Sequence, residues 1–476
     1  MKKNNTKTEK VQTTNVDNIP AFIKHPDYKA RYAAGKALRE KCPRVSHATW
    51  KAPKNRPDTI SLTIESEKDR MQDLIPLRHG RMSQSPFTFY RAGAQIMAAD
   101  LAATPNSGVI VQACGDAHLS NFGGFATPER QIIFSINDLD ESLPASWEWD
   151  IKRLATSFVI ACRNNGLSEI IAREATRNCV QYYRQHMARL SQMKQLELWY
   201  YLIESTELIG NIKDAAIRKR AIKTIEKARA SRIAEDVFPK LAGIEGDKMF
   251  IKDQLPAIFH WKGHKPGEIE QGIKTAFADY RQTLTPAHRL LLDRYELKDA
   301  AIKVVGVGSV GTRCWIMLFK AENGDPLFLQ VKQAGPSVME PYAAKSIYPN
   351  HGQRVVNAYR IMQPASDIFL GWTKGIQGND FYFRQLRDMK IKVEVETFGR
   401  TEMMIYGDWC GHALALSHAR SGDSAMISGY LGKSDTFDKA LEAFAIAYAD
   451  QNEKDFEVFK RAIRSGKLKA VYEEEK

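Results

Sequence analysis

The sequence lacks paired cysteines, long apolar runs and an N-terminal targeting segment. Its six cysteines are scattered and none forms a C-x-x-C pair, which argues against a zinc site or a disulfide framework. No stretch approaches the roughly 18 apolar residues of a membrane-spanning helix. Residues 1–5 carry charge with no apolar segment behind it, so we expect no signal peptide. These absences predict a cytoplasmic protein without a membrane span.

The composition is that of a globular protein with a large core. The 476 residues are 43% hydrophobic and 26% charged, and the length allows more than one lobe. The net charge of +13 favours an anionic ligand or nucleic acid, although a generally basic surface would give the same total. Residues 1–18 are polar, and we expect a disordered tail there.

One loop carries the first candidate catalytic residues. Residues 115–121 read G-D-A-H-L-S-N and follow a short apolar strand predicted at 109–111. Asp116 and Asn121 have the Asp-to-Asn spacing of a phosphotransferase catalytic loop. In that role Asp116 would orient or deprotonate a substrate hydroxyl, and Asn121 would bind Mg²⁺. His118 is either a further active-site group or a hydrogen-bonded brace of the loop.

A second loop, residues 136–141, adds carboxylates after an apolar strand predicted at 132–134. Asp138 and Asp140, together with Asn121, form the set of hard oxygen ligands that holds Mg²⁺ against a triphosphate. Asp140 is either a second metal ligand or a turn residue. Without a cation, repulsion between the carboxylates should raise at least one pKa.

A glycine-rich turn interrupts the strands predicted between residues 301 and 333. Its pattern, G-x-G-x-x-G, also occurs in dinucleotide-binding proteins, but there a helix follows the glycines. Here residues 314–319 are β-prone, which favours the kinase type of turn, a hairpin flap over nucleotide phosphates. The candidate phosphate-covering residues are Gly306, Gly308, Ser309 and Gly311.

The third predicted strand of this segment ends at Lys332. Its L-Q-V-K context is comparable to the V-A-I-K signature of the lysine that pairs with nucleotide phosphates. A lysine that snorkels from the edge of a sheet would give the same pattern. Glu340 is the nearest acid that could pair with Lys332 from a following helix, although Pro341 would fit only a first helical turn.

Two basic segments have both functional and structural interpretations. Arg78, His79 and Arg91 would bind an anionic substrate group, or would form a solvated basic loop. Residues 211–234 are dense in lysine and arginine, which would suit nucleic acid, but interspersed isoleucines favour an amphipathic surface helix.

These motifs together resemble a bacterial family called domain of unknown function 2252. The resemblance extends over the chain from about residue 70, and the family name carries no activity. The matching segments are residues 85–91, 114–123, 137–141, 147–150, 305–313 and 418–423.

At a more distant level, the catalytic loop, the acidic strand end and the D-I-x-x-L-A helix are similar to the aminoglycoside and choline kinases. In that family the loop begins His-Gly-Asp, and here Cys114 stands in place of the histidine. The glycine flap and lysine also precede the catalytic loop in kinases, whereas here they follow it. The resemblance therefore implies an α+β, protein-kinase-like two-lobed fold that is circularly permuted.

The predicted organisation follows from this permutation. Residues 19–296 would form the first part of a mainly helical catalytic lobe, and residues 297–395 a nucleotide-binding lobe with a small antiparallel sheet. Residues 396–476 would return as helices that complete the catalytic lobe.

The predicted function is that of an ATP- or GTP-dependent, Mg²⁺-dependent phosphotransferase. Its acceptor would be a hydroxyl of an unidentified small molecule or protein. Two alternatives stay open: a pseudokinase-like protein that binds a nucleotide or metabolite without catalysis, and a basic nucleic-acid-binding protein.

Overall fold

The computed structural model describes residues 26–231, 233–246, 248–260, 266–375, 377–386 and 389–473. The tail predicted at residues 1–18 lies outside these ranges. The helices of the described chain are α1 (Tyr28–Lys41), α2 (Thr59–Glu65), α3 (Ile75–Met82), α4 (Pro86–Ala92), α5 (Ala94–Leu101), α6 (Trp147–Asn164), α7 (Glu169–Leu190), α8 (Gln195–Tyr200), α9 (Ser205–Gly210), α10 (Ala215–Ala230), α11 (Phe238–Leu241), α12 (Pro266–Gln282), α13 (Pro286–Leu292), α14 (His351–Met362), α15 (Arg400–Ser421), α16 (Ser424–Leu431) and α17 (Thr436–Arg464).

The strands of the same ranges form one six-stranded sheet and three two-stranded sheets. They are β1 (Ile110–Ala113), β2 (Phe122–Ala126), β3 (Ile132–Ile136), β4 (Leu143–Ser146), β5 (Ala242–Glu245), β6 (Lys248–Ile251), β7 (Ile258–Phe259), β8 (Tyr295–Lys303), β9 (Cys314–Ala321), β10 (Pro326–Ala334), β11 (Gly371–Lys374) and β12 (Asp380–Gln385). The large sheet is antiparallel and has the order β11-β12-β10-β9-β8-β7. The prediction of an α+β protein with a small antiparallel sheet is confirmed.

The main hydrophobic core lies between helices α6, α7, α15 and α17. Nearly every residue of α6 up to Cys162 is buried, as expected for a helix that is surrounded by other elements rather than facing solvent. Helix α7 begins at Ser168, whose hydroxyl accepts a hydrogen bond from the backbone of Ile171 and so caps the helix. Helices from both ends of the sequence therefore share one core.

Side chains of the large sheet alternate between its two faces, and each face is covered by a hydrophobic cluster. Ile316 and Leu318 of β9 face one cluster, and Met317 and Phe319 face another. A turn at Asn323 joins β9 to β10, and the Asn323 side chain accepts from the backbone of Asp325. This sheet places Lys332 in the buried middle of the molecule.

Several predicted elements are found with adjusted bounds. The apolar strands expected at 109–111 and 132–134 are β1 and β3, and the basic segment 211–234 contains α10. Ile225 of α10 is buried while most of its lysines and arginines are exposed, which is the amphipathic surface helix that its isoleucines favoured. No helix in the described ranges is long and apolar enough to span a bilayer.

Close packing of α7 against α15 depends on glycine, which gives the first prediction. A Cβ atom on Gly411 would lie 2.7 Å from the backbone oxygen of Cys179 and 2.8 Å from the backbone nitrogen of Tyr183. We expect Gly411→Ala to lower the free energy of unfolding by about 1–3 kcal/mol, because backbone cannot yield as a side chain can.

Urea unfolding followed by circular dichroism measures this effect. Gly210, the last residue of α9, is the matched control, because a Cβ there meets nothing within 4 Å. Gly210→Ala should leave stability unchanged or raise it by less than about 1 kcal/mol. Equal stabilities for the two variants would contradict the proposed close contact.

Candidate functional site

Two short two-stranded sheets bring the predicted loops together. Strand β1 pairs with β4, and β2 pairs with β3 so that Phe122 lies opposite Ile136. Residues 121 and 137 therefore meet at the same end of the β2–β3 hairpin, where the Asn137 N–H donates to the Asn121 backbone oxygen at 2.7 Å. The pairing places Asn121 beside the acidic loop that contains Asp138.

Asp150 anchors the start of the 115–121 loop. Its buried carboxylate accepts from the backbone N–H groups of Cys114 at 2.6 Å and Gly115 at 2.9 Å. His418 Nε2 lies 3.1 Å from the same carboxylate. Because α6 begins at Trp147, Asp150 lies in the first turn of the helix, where its carboxylate satisfies donors of the loop.

Asp116 is held by an arginine that the sequence did not point to. Arg153 of α6 donates from Nε to Asp116 Oδ1 at 2.6 Å and contacts the same oxygen through Nη2. Although deep in the protein, Asp116 keeps 21% of its side-chain surface exposed, as a group at the bottom of a cleft would. Burial raises its pKa to about 7, and the charge of Arg153 opposes that rise.

His118 and Asn121 complete this side of the cleft. His118 Nε2 lies 3.8 Å from Asp116 Oδ2, and its Nδ1 has no hydrogen-bond partner among the described residues. Burial, together with the charges of Arg91 and Arg153, holds the pKa of His118 well below its usual range, so the ring is neutral at pH 7. The amide of Asn121 donates to the Asp116 backbone oxygen at 2.8 Å, while its side-chain oxygen has no hydrogen-bond donor within the part of the chain that the structure describes.

Lys332 faces the acidic loop across the cleft. Its Nζ lies 2.5 Å from Asp140 Oδ2 and 3.5 Å from Asp138 Oδ2. The other oxygen of Asp140 accepts from the Tyr382 hydroxyl at 2.5 Å. The lysine and its partner Asp140 are separated by 192 residues in the chain, so the fold brings two distant motifs into direct contact.

The charges of this cluster shift the pKa of each member. Burial alone would lower the pKa of Lys332, but the charges of Asp138 and Asp140 outweigh it, so its pKa is raised. Burial would raise the pKa of Asp138, yet the charges of Lys332 and Arg384 hold it below its usual range. The pKa of Asp140 is raised by burial and, after that, by repulsion from Asp138. The expected raised carboxylate pKa is therefore found, with burial as its larger cause.

Arg354 of α14 fixes the backbone of the acidic loop. It donates to the carbonyls of Ser142 at 2.6 Å, Asp140 at 2.7 Å and Gly335 at 2.9 Å. From the sequence, Glu340 was expected to be the acid that pairs with Lys332 from a following helix. That interpretation is corrected: Glu340 lies in a turn before α14, and Lys332 is paired with the two aspartates.

The glycine-rich turn lies between β8 and β9, next to Lys332, which is opposite Cys314 in the sheet. Gly306 and Gly311 have φ values of 61° and 85°, a region that favours glycine. Arg70 donates to the carbonyls of Gly308 at 2.8 Å and Val310 at 2.7 Å, and Arg81 donates to that of Gly306. In contrast, the backbone N–H groups of Gly308, Ser309 and Gly311 have no hydrogen-bond acceptor within the described residues.

The three basic residues expected to bind an anionic group separate in the structure. Arg78 and His79 are buried, and both bind the carboxylate of Glu67. His79 Nδ1 is also 2.7 Å from the Lys469 backbone oxygen. These contacts give Arg78 and His79 a structural role in place of the expected one. Only Arg91 acts on the cleft, where its charge affects His118.

The residues that sequence reasoning missed are Arg153, Tyr382, Arg354, Asp150 and His418. One signal was available, since Arg153 is a charge inside the apolar run of α6, where a buried charge needs a partner. The others sit in ordinary amphipathic or β-prone segments, and no local pattern identifies their partners.

Comparison with known proteins gives one match. Residues 70–462 match the model of a family described as uncharacterized protein conserved in bacteria (DUF2252). No curated protein and no solved structure matches the chain.

The ion cluster of Lys332, Asp138 and Asp140 gives the second prediction. We expect Lys332→Met to lower the free energy of unfolding by about 2–4 kcal/mol at pH 8, since Asp138 and Asp140 would lose their shared cation. The loss should be smaller at pH 5, because repulsion raises the pKa of the carboxylates and protonation then relieves it.

Urea unfolding at the two pH values measures the loss. The double variant Lys332→Met/Asp140→Asn should recover part of it, since one of the facing charges is gone. A Lys332→Met variant as stable as the wild type at pH 8 would show that the contact contributes nothing.

Proposed function

The chain belongs to this family of uncharacterized bacterial proteins (DUF2252), and we propose that it is a nucleotide- and Mg²⁺-dependent phosphotransferase. The observation that carries the proposal is the contact of Lys332 Nζ with Asp138 Oδ2 at 3.5 Å. A kinase site requires a phosphate-binding lysine and a metal-binding aspartate on facing sides of one cleft. Here the two meet although their order in the chain is reversed.

The order of elements around Lys332 supports the same proposal. The glycine turn joins the first two long strands, β8 and β9, Lys332 is on the third, β10, and helix α14 follows. This succession is that of a protein-kinase nucleotide lobe. We propose the permuted two-lobed fold on this basis, with residues 297–395 as the nucleotide lobe and the helices on either side as one catalytic lobe.

The residues fit Mg²⁺ bound together with a nucleotide. Asn121 offers a free side-chain oxygen and Asp138 a carboxylate with 33% of its side-chain surface exposed. Asp140 is already bound by Lys332 and Tyr382. Among the described residues no group of three His, Cys, Asp or Glu side chains is placed to hold an ion. Mg²⁺ is usually bound by one or two protein ligands plus substrate phosphates, and its charge would neutralise those phosphates.

Each side chain then has a defined task. Asp116 accepts the proton of the acceptor hydroxyl, and its pKa near 7 suits a general base at neutral pH. Arg153 fixes the orientation of Asp116. Lys332 and the free N–H groups of the glycine turn bind phosphate oxygens.

The third prediction concerns binding. We expect ATP or GTP with Mg²⁺ to raise the thermal unfolding midpoint of the wild type, with about 2.7 kcal/mol of stabilisation at a hundredfold excess over Kd. Asp138→Asn should lose the Mg²⁺-dependent part, because an amide is a poorer ligand than a carboxylate. Asp450→Asn, a surface change on α17 where Asp450 contacts Arg163 near the end of α6, should behave like the wild type.

A wild-type protein that neither nucleotide stabilises, with or without Mg²⁺, would sink the proposal. EDTA should reverse the shift if the cation is required.

The fourth prediction concerns pH. With water as a stand-in acceptor, slow ATP hydrolysis should rise with pH and level off above about pH 7, because Asp116 accepts a proton only when it is ionised. Asp116→Asn should lower the maximal rate of hydrolysis on the order of a hundredfold and abolish the rise of the rate with pH. A rise with its midpoint near pH 4, or one that persists in Asp116→Asn, would exclude Asp116 as the base.

The alternatives are separated by the same measurements. A protein that only binds a nucleotide would show the thermal shift without hydrolysis or transfer. A nucleic-acid-binding protein would bind DNA with a steep salt dependence through the exposed face of α10. The acceptor is proposed as a hydroxyl-bearing molecule or protein, and the six buried free thiols suit a reducing cytoplasm.

A further inference from the structure

Arg91, near the end of α4, has an enclosed side chain whose guanidinium makes no hydrogen bond within the described residues. Only 21% of its side-chain surface is exposed, and its buried Nε has no partner. The nearest carboxylate, that of Glu396, lies 3.7 Å away, and the Phe87 ring is 5.6 Å from the guanidinium carbon. The guanidinium is therefore largely enclosed while its donors make no hydrogen bond within the described residues, which leaves them open to an acceptor such as a bound anion.

Arg91 lies between the glycine turn and the catalytic loop. Its backbone oxygen is 3.3 Å from the position that a Cβ on residue 308 would take. Its charge acts on both Asp116 and His118. Lys332, by contrast, is paired with Asp138 and Asp140.

The other basic groups near Asp116 cannot supply a free positive charge for a bound anion. Arg153 is used by Asp116 itself, and His118 is neutral. Of the two cations whose charge acts on His118, Arg91 and Arg153, it is therefore Arg91 whose guanidinium makes no hydrogen bond within the described residues.

We propose that Arg91 binds the terminal phosphate of the nucleotide and neutralises its charge during transfer. This inference rests on the proposed function. In the reaction the acceptor oxygen forms a bond to the terminal phosphorus, and the bond from that phosphorus to the bridging oxygen breaks. The hydroxyl proton passes to Asp116, and the nucleoside diphosphate leaves with the bond electrons. Arginines supplied within the same chain act in this way on transferred phosphoryl groups.

Glu396 gives Arg91 a weak partner at rest. Its side chain is 45% exposed, and the 3.7 Å separation is longer than a hydrogen bond. A phosphate oxygen would displace it readily. Glu396→Gln removes this ion pair but keeps the arginine, so it is the matched control for Arg91→Ala.

Binding of ATP and ADP tests the inference without knowledge of the acceptor. Isothermal titration calorimetry with Mg²⁺ would be run on the wild type, Arg91→Ala, Arg91→Lys and Glu396→Gln. We expect the wild type to bind ATP about tenfold to a hundredfold more tightly than ADP, the range of a charge-assisted hydrogen bond. Arg91→Ala should bind ATP no better than ADP while its ADP affinity stays within about twofold of the wild type.

The control variants distinguish a phosphate contact from a structural role. Glu396→Gln should keep the full preference for ATP, and Arg91→Lys should keep only part of it, since a lysine lacks the two-pronged donor geometry. Thermal unfolding without nucleotide should show that all four proteins are folded.

Two results would overturn the inference while leaving the proposed function standing. One is an unchanged ATP-to-ADP ratio in Arg91→Ala, which would mean that Arg91 serves another anion. The other is an equal loss of ATP and ADP, which would mean that Arg91 only supports the site. If the wild type binds neither nucleotide, the proposed function fails and the inference fails with it.

Discussion

The ion cluster of Lys332, Asp138 and Asp140 is the contact on which the cleft depends. An ammonium group buried in a sheet is tolerated only where opposite charge compensates the lost hydration. The two aspartates provide that charge, and each is fixed in turn: Asp140 by the Tyr382 hydroxyl, and the loop backbone by Arg354. The sheet and the acidic loop are therefore locked together, since moving either one would expose an unpaired charge to a poorly hydrated interior.

The helical core performs the equivalent task on the other side of the cleft. One helix, α6, carries both the carboxylate that fixes the start of the 115–121 loop and the guanidinium that holds Asp116. Because α6 is buried on nearly all sides, these two groups have little freedom to move. The precision of the site is thus a property of the core, and the loop between the strands only presents the side chains.

Local patterns were sufficient for the parts of the site that depend on neighbouring residues. The Asp116 loop, the acids after β3, the glycine turn and the end of β10 all follow from spacing and strand periodicity. The pairings between these parts could not be predicted, because Tyr382 and Asp140 are 242 residues apart and local periodicity carries no information about such distant contacts. Glu340 was chosen for its closeness in sequence, and a pair of aspartates from a much earlier loop took its place.

The separation of Lys332 from Asp140 has a consequence for biosynthesis. The two residues are 192 positions apart, with the acidic loop made first. At about 5–20 residues per second, the ribosome needs on the order of 10–40 s to reach the lysine after it has made the loop. Throughout that interval the nascent chain carries these carboxylates without Lys332, and Asp150, which anchors the 115–121 loop, lacks its His418 partner for longer still. The site is consequently among the last parts of the protein to be assembled, after most of the segments that form it have left the ribosome.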